Sequence, residues 1–343
     1  MESRRVRNME EFAALSGISR PTVSKYFNDP TSVREGTRRR IEAALERYDY
    51  RPNIFAINQN RRLTKNIGIV VPYLADPFFA EIARNIEERC IAAGFWPILF
   101  SSHGSMELET DILDTLRSLK PAGALLAPLG RGSDRGAVAR FCAAVPTILF
   151  DSDLEGEGQA FVGSNNPQSI DLVVDYLCQT GAPPCFFEMA TPANPNARKR
   201  HNAYTVAMER VGHAPMHIRV PGEGWEFESI GYRGGRDVLA GGGFPTDTVL
   251  CSNDRLAIGL LAAAYERGLR VGTGSGTALR VAGHDDHPFA RFTCPPLTTV
   301  AQDYSAIAER SVALMFEMIE AGGALPDRVT TLFNGRLVQR QSA

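Results

Sequence analysis

His284 and His287 form an HxxH pair, six cysteines are spread along the chain, and glycines cluster at Gly241-Gly242-Gly243 and between Gly272 and Gly276. Each group could support chemistry, and spacing decides against all three. Zinc needs three or four ligands, and neither a third donor nor a helix cap stands near the HxxH pair, so no metal is expected. Cys90, Cys142, Cys178, Cys185, Cys251 and Cys294 contain no CxxC pair and mostly sit in apolar surroundings. That pattern fits reduced thiols used as small core fillers. The glycine runs lack a following Lys-Ser/Thr, so no nucleotide cradle is expected. No Ser-His-Asp or Cys-His order stands out, so the chain carries no expected catalytic residue and no cofactor and does not read as an enzyme.

Two groups are better suited to binding. Arg20, Pro21, Thr22, Ser24 and Lys25 lie on the exposed start of a short helix. Arginine can fork onto a guanine edge, while hydroxyls and lysine hold phosphates. The second group is scattered. Asp76, Asp151, Asn253 and Asp285 each follow closely on an apolar strand-like run, where an α/β protein gathers its ligand contacts.

The elements that must position the first group are three short helices. Asn8 with Glu11 opens the first as a capping box, and Met9, Phe12 and Leu15 are its apolar stripe. Gly17 supplies the turn, and Ser19 caps a second helix in which Pro21 is harmless at the first turn. Val23, Tyr26 and Phe27 face inward. Ser32 with Glu35 opens a third helix that buries Ile41, Ala44, Leu45 and Tyr48. None is long enough to be stable alone, so mutual packing must hold the unit together. A helix, a turn and a second helix with a polar outer face suit a DNA major groove.

Charge agrees with that reading. Residues 1–65 hold 14 Lys/Arg against 8 Asp/Glu, a balance of +6; the remainder holds 23 against 31, a balance of −8. A basic head on an acidic body is expected where one end meets a polyanion. No apolar run reaches membrane-spanning length and the start lacks a signal-peptide core, so a cytoplasmic, nucleoid-associated protein without membrane contact is expected.

From Asn66 onward, apolar strands alternate with longer helical stretches. Strands are expected at 67–71, 97–100, 123–127 and 147–150, then at 185–188, 217–220, 248–251 and 280–282. Helices are expected at about 78–93, 166–180, 197–211, 228–240 and 254–267. Repeated strand–helix–strand units imply parallel sheets covered on both faces. Two sets imply two doubly wound lobes with a ligand cleft between them. The expected fold class is an α-helical helix-turn-helix headpiece followed by two doubly wound parallel-sheet lobes.

The stretch MEEFAALSGISRPTVSKYFNDPTSVREGTRRRIEAALERYDYRPN resembles the headpiece of the lac-repressor family of transcriptional regulators. IGIVVPYLADPFFAEIARNIE, VLCSNDRLAIGLLAAAYERGLRV and VAGHDDHPFARFTCPPLTTVAQDY carry the resemblance through the body, which is also similar to periplasmic sugar-binding proteins. The resemblance implies a headpiece at 1–53, a hinge helix at 54–65, and an effector-binding and dimerisation domain at 66–343. Its lobes would span about 66–161 plus 303–328, and 162–295 plus 329–340. Arg20, Pro21 and Lys25 fall where family members read bases, and Ser19 caps that helix. Thr22, Ser24 and Asn28 fall where members touch phosphates. In the hinge, Asn58 suits a groove-facing segment. Gln59 takes the place of the leucine that family members push into the minor groove, and a glutamine wedges poorly.

For the cleft, Asp76 with Phe78 and Phe79 offers a carboxylate and rings for a sugar's hydroxyls and apolar face. Asp151 stands where the family often has Asp-Arg, with Ser152 replacing the arginine. Arg200 falls at an effector-binding arginine, with Arg198 as a near-equal candidate. Trp225 suits stacking on a ring, Asn253 opens a helix in Ser-Asn-Asp where amide groups can hold hydroxyls, Asp285 ends a strand, and Gln302 lies at a crossover. The implied protein is a homodimer on double-stranded operator DNA, expected to be a repressor, with a carbohydrate-like effector shifting its affinity. Two rival readings are a solute-binding protein and an enzyme on a doubly wound fold.

Overall fold

The computed structural model describes residues 6–28, 30–51, 64–193 and 195–343, and the side chain of Asn28 lies outside that description. The expected DNA contacts Asn58 and Gln59, with nearly all of the hinge, also lie outside the described residues. The chain divides into two compact units, Met1–Thr64 and Lys65–Ala343.

The first unit is helical. Helix α1 spans Met9–Ser16, and Asn8 Oδ1 accepts the Glu11 amide at 2.8 Å. Gly17 closes it at φ 64, a left-handed turn that favours a residue without Cβ. Helix α2 spans Arg20–Asn28, with the Ser19 hydroxyl 2.8 Å from that of Thr22. Helix α3 spans Glu35–Tyr48. Its expected start at Ser32 is not observed: Pro30–Ser32 form a 3-10 turn, and Arg34 takes the cap position without a side-chain bond. Phe12, Ile18, Val23, Val33, Ile41 and Tyr50 form the core, with the Phe12 and Tyr50 rings stacked at 4.7 Å. Leu15, expected inside, is 42% exposed, because the buried face of this two-turn helix is centred on Phe12 and Ala13.

The second unit contains two parallel sheets. The first holds six strands in the order β11-β5-β4-β3-β1-β2, namely Val329–Phe333, Ala160–Ser164, Thr147–Phe150, Gly123–Leu126, Asn66–Val71 and Trp96–Ser101. The second runs β7-β6-β8-β9: His217–Val220, Cys185–Met189, Thr248–Cys251 and Arg280–Ala282. Every pairing in both sheets is parallel. The central strands are buried on both faces, which is why Ile67–Val71 and Thr147–Phe150 read as unbroken apolar runs. Thr299–Ala301 (β10) pairs antiparallel with Arg336–Val338 (β12).

One boundary differs from expectation. β11 pairs in register with β5, from Val329 opposite Ala160 to Phe333 opposite Ser164, so the first sheet reaches five residues past the implied crossover at 328. A five-residue edge strand is too short for its own pattern to assign it to a sheet, and only its pairing partner reveals its lobe.

Helices cover both sheets. Those that matter for the site are α4 (Pro77–Ala92), α7 (Asn166–Thr180), α8 (Ala197–Arg210), α9 (Phe227–Ala240), α10 (Asp254–Glu266) and α11 (Tyr304–Glu320), with α5 (Met106–Ser118) and α6 (Arg135–Ala144) on the far side of the first sheet. Gly231 and Gly259 let α9 and α10 approach backbone to backbone: a Cβ on either would collide with main-chain atoms of the other helix. No helix among the described residues is long and apolar enough to cross a membrane.

Candidate functional site

The helix-turn-helix edge is solvent-facing. Ser19, Arg20, Pro21 and Lys25 are exposed and Thr22 and Ser24 half-buried, while Val23 between them is fully buried. Arg20 makes one loose contact, Nε to Glu10 at 3.4 Å with both side chains largely exposed. An exposed pair of this kind is weak and leaves the guanidinium available to a polyanion.

In the second unit, the ends of strands from both lobes meet in one small cavity of about 10 Å³, lined by Asp76, Phe78, Phe79, Asp151, Arg200, Asn253, Arg255, Asp285 and Gln302. Eight of the nine side chains singled out from sequence line it. Two ion pairs run through it.

Arg200, 2% exposed, forms the centre of the first. It donates to Asp285 Oδ1 at 2.7 Å, to Asn166 Oδ1 at 3.0 Å and to the Ser252 carbonyl at 2.8 Å. Asp285 Oδ1 also accepts from Gln302 Nε2 at 2.7 Å and lies 3.0 Å from His284 Nδ1. Burial raises the Asp285 pKa, but Arg200 and His284 outweigh it and hold the group below the ordinary carboxylate range. The His284 pKa is lowered too, to about 4, by burial and by Arg200. Arg198, the rival arginine, does not reach this cavity and lines a separate groove.

The second pair centres on Arg255, which sequence reasoning missed. Its NH1 reaches Asp76 Oδ2 at 3.1 Å, while Nε and NH2 grip both oxygens of Glu228 at 2.7 Å each. Nothing in the local pattern marks it, since its partners stand 27 and 179 residues away in sequence. Asp76 also caps α4 by accepting the Phe78 amide at 3.0 Å. Burial pushes its pKa up, and Arg255 opposes the rise.

Asp151 is the least satisfied member. Asn196 Nδ2 donates to its Oδ1 at 2.8 Å and to its carbonyl at 3.1 Å. Oδ2 is buried and has no partner. Burial raises the carboxyl to about 7 despite nearby Lys199 and Arg200. Its backbone lies at φ 60, and that of Asp285 at φ 125. Non-glycine residues held in this region cost about 1–3 kcal/mol each, and such positions cluster at binding sites. Asn253 spends its Oδ1 on capping α10, 2.8 Å from the Leu256 amide.

Trp225 is placed differently from expectation. It does not line the cavity: it is 5% exposed, stacked on Tyr73 at 5.5 Å and set edge-on to Phe79 at 6.0 Å. Tyr73 follows β1 of the six-stranded sheet and Trp225 precedes α9 of the other lobe, so this stack is part of the closed interlobe contact. The indole is thus committed to one stacked ring and one edge-on ring of this contact rather than to the cavity.

A helix-turn-helix unit followed by a two-lobed α/β unit with a buried, charged interlobe cleft defines a class: DNA-binding transcriptional regulators governed by a small molecule. The comparisons agree at both ends. Residues 8–53 match the family of bacterial regulatory proteins described as lacI family, and residues 174–343 match the periplasmic binding protein-like domain. This chain carries a lacI-family helix-turn-helix domain followed by a periplasmic binding protein-like domain. It is 28% identical over 313 residues to the ribose operon repressor of Escherichia coli (strain K12), covering 91% of this chain and 92% of that protein. It is 26% identical over 311 residues to the HTH-type transcriptional repressor PurR of Pasteurella multocida (strain Pm70), covering 91% of each. The lac repressor dimer bound to operator and the anti-inducer ONPF superposes with a TM-score of 0.83 at 24% identity, over 98% of both chains. These relatives are repressors, and the chain is a regulator rather than an enzyme.

Proposed function

We propose that this protein is a homodimeric repressor whose operator affinity is set by a small polyhydroxylated effector, of carbohydrate type, held in the interlobe cleft. The observation that carries the reading is the orphaned Asp151 Oδ2, buried beside Asp76, Arg200 and Asp285. A buried acceptor without a partner costs about 1–3 kcal/mol, and a ligand hydroxyl donating to it removes that cost. Three carboxylates accept from hydroxyls, Arg200, Asn253 and Gln302 donate to ring and hydroxyl oxygens, and Phe78 and Phe79 cover an apolar face. The ribose operon repressor among the relatives, and a lacI-family regulator from Enterococcus faecium solved with bound ribose (TM-score 0.68, 19% identity, 81% of this chain and 98% of that one), point to the same ligand class.

The cavity of about 10 Å³ has room for a single water and not for a sugar. Effector entry therefore needs the lobes to part or the Arg255–Asp76 and Arg200–Asp285 pairs to rearrange. That movement couples the cleft to the DNA-reading unit, with about 1–3 kcal/mol of coupling typical of such switches. On DNA, Arg20, Pro21 and Lys25 read bases, Thr22, Ser24 and Asn28 hold phosphates beside Ser19, and Asn58 and Gln59 lie against the minor groove. Paired heads read a near-palindrome, because one headpiece buries too little surface for selective binding.

The test is calorimetry on the full chain with pentoses, hexoses, polyols and nucleobases, paired with selection of a duplex from a random pool. A sugar that binds one per chain and shifts affinity for a selected near-palindrome is expected. Binding of a nucleobase alone would replace the effector class, and failure to retain any duplex would remove the repressor reading.

A further inference from the structure

Outside the cleft, on the far face of α8, the structure brings together three side chains that the regulator reading leaves unused. Glu188 stands near the end of β6 and is buried, 5% exposed. His217 opens the neighbouring strand β7, and His201 lies on α8, one residue from Arg200. Both imidazoles direct Nδ1 at the same carboxylate oxygen: His201 at 2.8 Å and His217 at 3.1 Å from Glu188 Oε1. The two rings lie 4.2 Å apart. The three donor atoms all fall within 4.8 Å of one another.

We propose that Glu188, His201 and His217 form a binding site for a divalent transition-metal ion of the zinc type. Two imidazole nitrogens and one carboxylate are a ligand set that suits zinc, with bonds of about 2.0–2.2 Å. Ligands at those bond lengths stand roughly 3–4 Å from each other around one ion. Small side-chain rotations bring the present spacing to that value. The three donors come from two adjacent strands and the helix packed over them, so the site is held by the fold rather than by one flexible loop.

The outer shell is also in place. Thr205 Oγ1 lies 3.1 Å from His217 Nε2, which fixes that ring with Nδ1 turned inward. Arg219 Nε lies 3.3 Å from Glu188 Oε1 and orients the carboxylate. Such second partners are usual for metal-bound histidines and carboxylates. A groove of about 330 Å³ opens onto Glu188 and His201 and leaves room for water at a fourth position.

Arg219 is the opposing charge. Its NH2 lies 3.4 Å from His201 Nε2, and its side chain is 57% exposed, so it can swing outward when the ion enters. Removing that charge strengthens a cation site and does nothing for one that is only an ion-pair cluster.

The experiment uses the full chain, stripped with a chelator and titrated with zinc ion against a chromophoric chelator, with cobalt(II) absorption as a geometric probe. One zinc per chain is expected, with affinity falling by about 100-fold or more in His201→Ala and in His217→Ala, and by about 10-fold in Thr205→Val. Glu188→Gln, which keeps the shape of a buried side chain, should weaken binding as well, and Arg219→Gln should bind as tightly as the wild type or more so. Cobalt(II) should give the intense visible bands of a four-coordinate site. Zinc binding unchanged in both histidine variants, or a wild-type chain that fails to compete with the indicator, overturns the proposal. Far-UV circular dichroism on each variant separates loss of the site from loss of the fold.

Discussion

Arg255 and Asp76 meet at 3.1 Å although they belong to different lobes, one following β8 of the four-stranded sheet and the other following β1 of the six-stranded sheet. Both side chains are 10% exposed, so water competes little with either partner. The pair joins the lobes in the wall of the cleft.

Removing one member of such a pair leaves a buried charge uncompensated. Arg255→Ala is expected to destabilise the effector unit by about 3 kcal/mol. Asp76→Asn and the double variant complete a cycle read by urea denaturation, in which the double variant loses clearly less than the sum of the singles. Strict additivity would show that the two groups do not couple.

Arg200 sits at the junction of three polar groups, and its loss should silence the effector without silencing DNA. In Arg200→Ala, effector affinity is expected to fall by about two orders of magnitude, in line with removing one partner of a buried charge pair. Affinity for the selected duplex in the absence of effector should stay within a few-fold of wild type. Calorimetry and fluorescence anisotropy read the two numbers on the same preparation, and a parallel loss of both would contradict the assignment.

Asp151 gives a pH signature. Its carboxyl is raised to about 7 from an ordinary 3.8, so the folded chain keeps a proton that the unfolded chain gives up. The associated stability is fully present below about 4 and is lost as pH rises through 7. Asp151→Asn cannot ionise, and its Oδ1 can still accept from Asn196. The variant should therefore gain on the wild type by up to a few kcal/mol (order of magnitude) between pH 5 and 8. Asp254, also raised to about 7, and His284, lowered to about 4, titrate in both proteins and cancel in the difference. Chemical denaturation at four pH values suffices, and a difference that is flat with pH would refute the shift.

The headpiece makes a separate prediction. Arg20→Ala should cost about 1–3 kcal/mol on the selected duplex and relax preference at one base position. Ser24→Ala, at a position proposed to hold a phosphate, should weaken all duplexes to a similar and smaller degree. Anisotropy titrations on specific and scrambled duplexes over a range of salt separate these behaviours.

Gly259 tests how the cleft is braced. A methyl group there would collide with the Glu228 carbonyl and the Tyr232 amide of α9, neither of which can move aside without shifting the helix. Gly259→Ala is expected to destabilise by about 1–3 kcal/mol or more and to loosen the Glu228–Arg255 grip that depends on that approach. A variant with wild-type melting behaviour would show that α9 and α10 need not pack so closely.

Much of this was legible along the chain because it is local. Asn8 with Glu11, Gly17 and Ser19 mark helix ends through bonds made within three or four residues, and the structure keeps those marks. The apolar runs from Ile67 and Thr147 are strands because parallel sheets bury both faces. Asp76, Asp151, Asn253 and Asp285 could be picked out because each stands just beyond a strand, where this architecture collects polar side chains. Ser32 misled because Pro30 starts a tighter turn that absorbs it, and Leu15 because a two-turn helix has a narrow buried face.

The sequence by itself therefore determined the class of fold, the solvent-facing edge from Ser19 to Lys25 and the polar residues offered to the cleft, since propensity, capping and periodicity act over a few residues. Only the tertiary structure decided which charges meet. The grip of Arg255 on Asp76 and Glu228, the inward turn of Trp225 onto Tyr73, the orphaned oxygen of Asp151 and the gathering of Glu188, His201 and His217 all join residues far apart in the chain. Electrostatic and packing energies depend on distance in space and on exclusion of water, and neither quantity exists until the sheets and helices have closed on one another.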